Sequence, residues 1–276
     1  MKFFRLSSIL LLSLVTTIGA SVAQADTLVL IQGYQGNAGS WRESGITKVL
    51  QLDGWQDAGH LYTTPKGAAK WSAGSVKGDK FYTIDLPSEA PIPLQAQYLT
   101  AYIKLISTGT DEKAESDKLI LAGHSAGGLV ARTMMVTHPE LKISKLITIA
   151  SPNRGTELAE TGLAVADSPV GFFAPMMGAG SLNRSRELYR DLVRERPGTF
   201  LHWLNTRRHP DARYIAVVRA SMNGTVGDDV VPGWSQPMQG IAGLEKHDVK
   251  TFVAPGPHEL TIADGATLLN VVGDRS

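Results

Sequence analysis

The stretch Lys118 to Arg132, KLILAGHSAGGLVAR, constrains this chain more than any other: an apolar, β-prone run enters Gly123-His124-Ser125-Ala126-Gly127, and a helical period leaves it. A strand that turns into a helix around a single residue has no room for side chains on either flank of the turn. Glycine at those two positions therefore has a steric cause. The serine between them sits at the carboxyl end of a strand, the setting of a G-x-S-x-G nucleophile turn. The helix beginning at Ala126 aims its amino-terminal N–H groups at the same point, where developing negative charge is stabilised. Ser125 is the candidate nucleophile.

The rest of the chain repeats the strand-then-helix alternation. Thr27 to Ile31, Lys80 to Asp85, Lys118 to Ala122, Lys145 to Ala150, Arg213 to Arg219 and Val249 to Ala254 read as strands, and Ile46 to Leu52, Leu94 to Ile106, Ala126 to Thr137 and Ile262 to Val272 as helices. In the third helix Ala126, Leu129, Val130, Thr133, Met134 and Thr137 share one face, and His138-Pro139 ends it. The first five strand runs carry few polar positions, as expected where helices cover both faces. This predicts an α/β fold with a mostly parallel central sheet flanked by helices. From about Thr156 to Asn205 no strand is visible, and Val170 to Ala179 is a nearly uncharged apolar run punctuated by Gly and Pro. The region reads as a helical insertion over the sheet, a lid or cap approximated as residues 157–196. Phe172, Phe173, Met176 and Met177 are its candidate substrate-binding residues, with an ordinary packed cap as the alternative.

A serine hydroxyl needs a base, and the base needs a carboxylate to orient it. The strand RYIAVVRA runs into a loop that carries Asp228, and the last strand ends at Gly256-Pro257-His258. Both residues then lie at the edge of the sheet that carries Ser125, in the chain order serine, acid, histidine. Asp228 is the expected acid, with neighbouring Asp229 as the alternative. His258 is the expected base among seven histidines; its alternative, His247, precedes the last strand and falls at the opposite end. His124, inside the turn, is expected to pack or hydrogen-bond below the serine. The backbone N–H of Ala126 and that of Tyr34, or alternatively Gln35, in the Gly-rich loop after the first strand are the expected oxyanion donors.

At the amino terminus Lys2 and Arg5 precede the apolar run Leu6 to Ala20, and Ala23-Gln24-Ala25 offers small residues for cleavage. Residues 1–25 read as a signal peptide, and 26–276 as one domain exported to the periplasm or the medium, with no transmembrane anchor in the mature chain. The run is interrupted by Ser and Thr and is short for a membrane span. Without Lys2 and Arg5 the chain carries 25 basic against 26 acidic residues, so its charge gives no argument for nucleic-acid binding. With no Cys, disulfides and thiol catalysis are excluded, as is a Cys/His zinc pattern.

These motifs resemble the α/β-hydrolase superfamily, and within it the bacterial triacylglycerol lipases and esterases. LVLIQGYQGNAGSW looks like the strand and oxyanion loop of that family, LAGHSAGG its GHSxGG elbow, and TIASPNRGTELA its next strand and turn. GDDVVPGWS and FVAPGPHELT are similar to its acid and base loops, and RPGTFLHWLN to the stretch after its lid. The resemblance implies the α/β-hydrolase fold, an inserted helical lid, and hydrolysis of carboxylic esters by Ser125, His258 and Asp228 without a cofactor. Together with the apolar run it points to a lipid or other hydrophobic acyl ester as substrate and to transient contact with a lipid surface. Gln32 stands where the family usually has His, and no calcium ligands are assigned. Alternatives on the same triad are an acyltransferase or a thioesterase; a different class is a catalytically silent hydrolase fold used for binding.

Overall fold

The computed structural model describes residues 25–72, 74–107, 118–168, 180–221 and 224–274. Eight strands form one sheet in the order β3-β2-β4-β1-β5-β6-β7-β8. They are β1 (Thr27–Ile31), β2 (Gln56–Thr64), β3 (Gly67–Trp71), β4 (Lys80–Ile84), β5 (Leu119–His124), β6 (Lys145–Ile149), β7 (Arg213–Ala220) and β8 (Val249–Pro255). Every neighbouring pair is parallel except the hairpin β2–β3. The helices that position the site are α1 (Ser40–Glu43), α2 (Ile46–Leu52), α3 (Ile92–Ser107), α4 (Ala126–Thr137), α5 (Glu157–Ala166), α6 (Gly180–Arg184), α7 (Arg186–Leu192), α8 (Phe200–Thr206) and α9 (Ala263–Gly273).

The strands lack polar alternation because both faces of the sheet are covered. Successive side chains point to opposite faces: Val29 and Ile31 enter the core beneath α3, α4, α7 and α8, whereas Leu28 and Leu30 enter the core beneath α1, α2 and α9. Leu121 and Leu146 lie in the first core, Ile120 and Ile147 in the second. At roughly 1.5–3 kcal/mol for each fully buried large aliphatic side chain, these paired cores are the main force holding the sheet and its helices together. A slip of one residue would exchange their faces without exposing a polar one, so turns and helices must fix the register.

All six strands expected from the sequence are present, and the helices agree to within two residues at their ends. The hairpin β2–β3 was not expected. It lies at the sheet's edge, where β3 is largely exposed, and so lacks a buried apolar signature. Within β2, Gly59 adopts φ 105° at an irregularity in the pairing with β4, and a Cβ there would fall 1.8 Å from the Trp71 carbonyl oxygen. That close approach requires glycine and breaks the strand pattern in the sequence. Between β6 and β7 the described residues form the helices α5 to α8. Phe172, Phe173, Met176 and Met177 lie outside the described residues, as does the apolar run Leu6 to Ala20 of the expected signal peptide. Among the described residues no helix is long and apolar enough to cross a membrane.

Candidate active site

Ser125 joins β5 to α4 with φ 51° and ψ −128°, a conformation that non-glycine residues rarely adopt. It is held there because strand and helix close tightly about it. A Cβ on Gly123 would meet the Gly128 nitrogen at 2.5 Å, and one on Gly127 would meet the Gln32 carbonyl oxygen at 2.4 Å. The Ser125 N–H donates to the Ile149 carbonyl at 2.9 Å, locking the turn to β6. Its side chain thus projects from the carboxyl end of the sheet while the residue remains 8% exposed.

His258 follows β8 and Asp228 follows β7, at the same end of the sheet. His258 Nε2 lies 3.0 Å from Ser125 Oγ, and His258 Nδ1 lies 3.1 Å from Asp228 Oδ1. Because a carboxylate only accepts, Nδ1 carries the proton and Nε2 presents its lone pair to the serine hydroxyl. The Asp228 side chain is 2% exposed. Its Oδ1 also accepts the Val230 and Val231 N–H groups at 2.9 and 2.7 Å, and its Oδ2 accepts Gln236 Nε2 at 3.0 Å. Burial raises the Asp228 pKa, but hydrogen bonds from His258 and these backbone groups outweigh it, leaving the carboxyl below its ordinary value. Asp229 is exposed, and His247 stands before β8 at the opposite end of the sheet, its ring against Tyr214.

The loop after β1 crosses directly over the elbow: a Cβ on Gly33 would lie 2.9 Å from Ser125 Cβ. Gln35 has φ 57°, and the Gly36 N–H closes a turn onto the Gly33 carbonyl at 3.1 Å. This turn carries the Tyr34 backbone beside the serine. Ala126, the first residue of α4, has no carbonyl within its own helix for its N–H. Gln32 is buried and donates through Nε2 to the Leu86 carbonyl at 3.2 Å, so in place of the ring expected there it ties the loop to the segment after β4. Tyr34 also reaches the inserted region, where its hydroxyl lies 2.8 Å from that of Tyr189 on α7.

Three further groups support the site; His124 was expected to pack or hydrogen-bond below the serine, whereas Arg219 and Gln236 were not singled out. His124 bonds through Nε2 to the His258 carbonyl at 2.8 Å; since a carbonyl only accepts, that nitrogen carries hydrogen. Burial, reinforced by the neighbouring His258, lowers the His124 pKa to about 4, so at neutral pH the ring is an uncharged donor beneath the base loop. Arg219, at the end of β7, forms a fully buried bidentate pair with Asp264 of α9, at 2.5 and 3.0 Å, and donates to the Glu259 carbonyl at 3.2 Å. Gln236 is the third. His124 and Arg219 act through partners 40 or more residues away, and Gln236 through partners 5 to 17 residues away across an irregular loop, neither of which local sequence patterns reveal. The one signal within reach was a charged residue, Arg219, at the end of a strand otherwise covered on both faces.

The sheet order, the strained serine and the strand-end histidine together define an α/β-hydrolase. Residues 24–165 match the PGAP1-like alpha/beta domain family, and the chain belongs to it. In structure it is similar to the product of lin2722 from Listeria innocua, with a TM-score of 0.63 and 15% identity over 92% of this chain and 96% of that one. It is also similar to the mature lipase BlEst2 of Bacillus licheniformis, with a TM-score of 0.51 and 15% identity over 90% and 91% of the two chains. The thioesterase RedJ of the prodiginine biosynthetic pathway in Streptomyces coelicolor is similar at a TM-score of 0.50 and 12% identity over 90% of both chains. Structural relatives of this fold thus include esterases, lipases and thioesterases.

Proposed function

We propose that the chain is an exported serine hydrolase that cleaves carboxylic esters of hydrophobic acyl groups through a covalent acyl-enzyme. The observation that carries this reading is the relay from Ser125 Oγ through His258 to Asp228, at 3.0 and 3.1 Å, built on a strained strand-to-helix turn. In the first step His258 Nε2 takes the Ser125 proton as Oγ attacks the ester carbonyl, and Asp228 stabilises the imidazolium. The N–H groups of Tyr34 and Ala126 take the oxyanion, His258 protonates the departing alcohol, and water activated by the same ring releases the acid. These steps are carried by the chain's own side chains and backbone.

Support for an acyl-binding cap over residues 157–196 comes from its described flanks. On α5, Leu158 and Val165 are seven residues apart, hence on one face of the helix, and are 55% and 39% exposed. Gly162 of α5 packs against the Tyr189 ring, and Tyr189 is bonded to Tyr34, so the cap's base touches the oxyanion loop. Phe172, Phe173, Met176 and Met177 belong to the same proposal as the groups that meet the acyl chain. Export rests on the amino-terminal pattern of Lys2, Arg5, the apolar run and Ala23-Gln24-Ala25.

A series of p-nitrophenyl esters from acetate to palmitate tests the reading. We expect wild-type turnover to rise with chain length beyond butyrate and Ser125→Ala to be inactive on every member. Replacing both Phe172 and Phe173 by Ser should depress the long esters more than acetate, whereas a uniform loss across the series would remove the acyl-binding cap. Ser125→Ala retaining a tenth of wild-type activity would overturn the proposal.

A further inference from the structure

Asp228 Oδ1 takes three donors, His258 Nδ1 and the Val230 and Val231 N–H groups. Only Gln236 donates to Oδ2 among the bonds described, at 3.0 Å. Gln236 is 1% exposed, and every polar atom of its amide is used. Nε2 donates a second time, to the Val231 carbonyl at 2.8 Å, and Oε1 accepts the Arg219 N–H at 2.8 Å. The backbone partners decide which way the amide points: a main-chain N–H requires the oxygen on the β7 side, so the NH₂ group faces the carboxylate. A flipped amide would set oxygen against oxygen at both Asp228 and Val231.

The orientation is anchored further back. The Gln236 carbonyl accepts Asn153 Nδ2 at 2.7 Å, and Asn153 Oδ1 accepts Arg132 Nη1 at 3.2 Å. Arg132 and Asn153 are fully buried. Arg132 also donates through Nη2 to Asn205 Oδ1 at 2.7 Å and through Nε and Nη2 to His209 Nε2. The acid loop is therefore braced by a continuous polar network that begins on α4, the helix that leaves Ser125. Each buried donor in it is costly to leave unpaired, which confines the network to one arrangement.

Building on the triad reading above, we infer that Gln236 is a positioning residue: its amide fixes the plane of the Asp228 carboxylate so that Oδ1 meets His258 Nδ1, and thereby makes Asp228, not the adjacent Asp229, the acid. It acts through Asp228 and touches neither substrate nor Ser125. The charged and titratable groups around the His258–Asp228 pair are His124, Glu259, the Arg219–Asp264 pair and exposed Asp229. Of these only Arg219 touches Gln236, through the backbone N–H that Oε1 accepts; its guanidinium is held by Asp264 and the Glu259 carbonyl instead.

The test is Gln236→Met, which keeps length and removes both donor and acceptor. Loss of orientation should lower kcat by about 10- to 100-fold with KM within about threefold. A loosened Asp228 also holds the imidazolium less well, so the acid limb of kcat/KM should move to lower pH, by about half a unit. Adding Gln236→Met to Asp228→Asn should cause no further loss, because the two act as one unit. A kcat within twofold of wild type, an unmoved limb with lowered melting temperature alone, or additive losses would each overturn the inference. If Gln236→Met does not fold, Gln236→Glu serves. Its carboxylate beside Asp228 should move the limb to higher pH, and an unmoved limb overturns the inference. Labelling with a small fluorophosphonate separates the two levels. Wild type that does not label ends the triad reading, whereas wild type and Gln236→Met labelling at equal rates ends only the role of Gln236.

Discussion

The two loops that carry the proposed base, His258, and the proposed acid, Asp228, are fastened by different chemistry. The His258 loop is fixed by a buried ion pair, Arg219 with Asp264, and by the neutral ring of His124 beneath its backbone. The Asp228 loop is fixed by backbone N–H groups and one amide, Gln236; Arg219 joins that amide only through its backbone N–H, and the Arg132 guanidinium reaches it only through Asn153. A full charge beside Asp228 would compete with His258 for its carboxylate, whereas neutral donors orient it and leave its charge to the imidazole. The base loop has no such constraint, because its ion pair bonds to the backbone at Glu259 rather than to the ring. We therefore expect anchoring by charge to govern whether the His258 loop folds, and anchoring by amides to govern how well the proposed acid works.

The largest expected effect separates the two aspartates of the acid loop. Asp228→Asn should lower turnover about 10⁴-fold, because the amide favours the wrong imidazole tautomer, while exposed Asp229→Asn should stay within a few-fold of wild type. Steady-state kinetics on one ester decides it, and a larger loss at Asp229 would reverse the comparison at its acid end.

The base loop should fail through stability instead. Asp264→Ala leaves Arg219 buried without its carboxylate, at a cost of about 3–5 kcal/mol, or on the order of 10 °C in melting temperature. The double change Arg219→Met with Asp264→Leu removes both charges and should recover much of that loss. Thermal unfolding of the three variants checks this, and a double variant no better than the single one would refute the ion-pair account.

His124 makes the base loop sensitive to acid. Its folded pKa of about 4 lies below the unfolded value near 6.5. Between these values the unfolded chain binds a proton that the folded chain refuses, so stability falls as pH drops through that window, by roughly 3 kcal/mol from this ring. His209, lowered to about 3 by burial and by Arg132, contributes a fall of the same sign. His124→Gln keeps a donor for the His258 carbonyl and removes one of the two protons. Urea midpoints between pH 7 and 4 should slope less steeply in that variant, and an unchanged slope would exclude His124 as the source.

The smallest effect belongs to the proposed oxyanion loop, which meets α7 through the hydroxyl contact of Tyr34 with Tyr189. Tyr189→Phe removes the bond to Tyr34 at an expected cost of about 1 kcal/mol, seen as a few-fold fall in kcat with melting temperature nearly unchanged. A fall no smaller than that of Asp228→Asn would mean that this loop, not the acid loop, limits the chemistry.

This contrast also explains what could be read from the sequence. The placement of Ser125, His258 and Asp228 at one edge of the sheet is legible because each lies beyond a predicted strand, and the glycines at the elbow answer to a steric demand visible in one dimension. The β2–β3 hairpin is hidden because an exposed edge strand needs no apolar run and Gly59 interrupts its pattern. Gln236, Asp264 and Asn153 are hidden for another reason: each is a common polar residue whose meaning lies in one partner brought close by the sheet order. Arg132 shows the limit most plainly, since within its helix it occupies an ordinary position and only burial distinguishes it.

The central claim is that Ser125 is activated by His258 across the 3.0 Å contact. Its most direct measurement is reaction with a fluorophosphonate followed by peptide mapping. We expect one adduct per chain, on the peptide containing Ser125, lost in Ser125→Ala, slowed by orders of magnitude in His258→Ala and unaffected in His247→Ala. An adduct on another serine, or undiminished labelling of Ser125 in folded His258→Ala, would contradict the account.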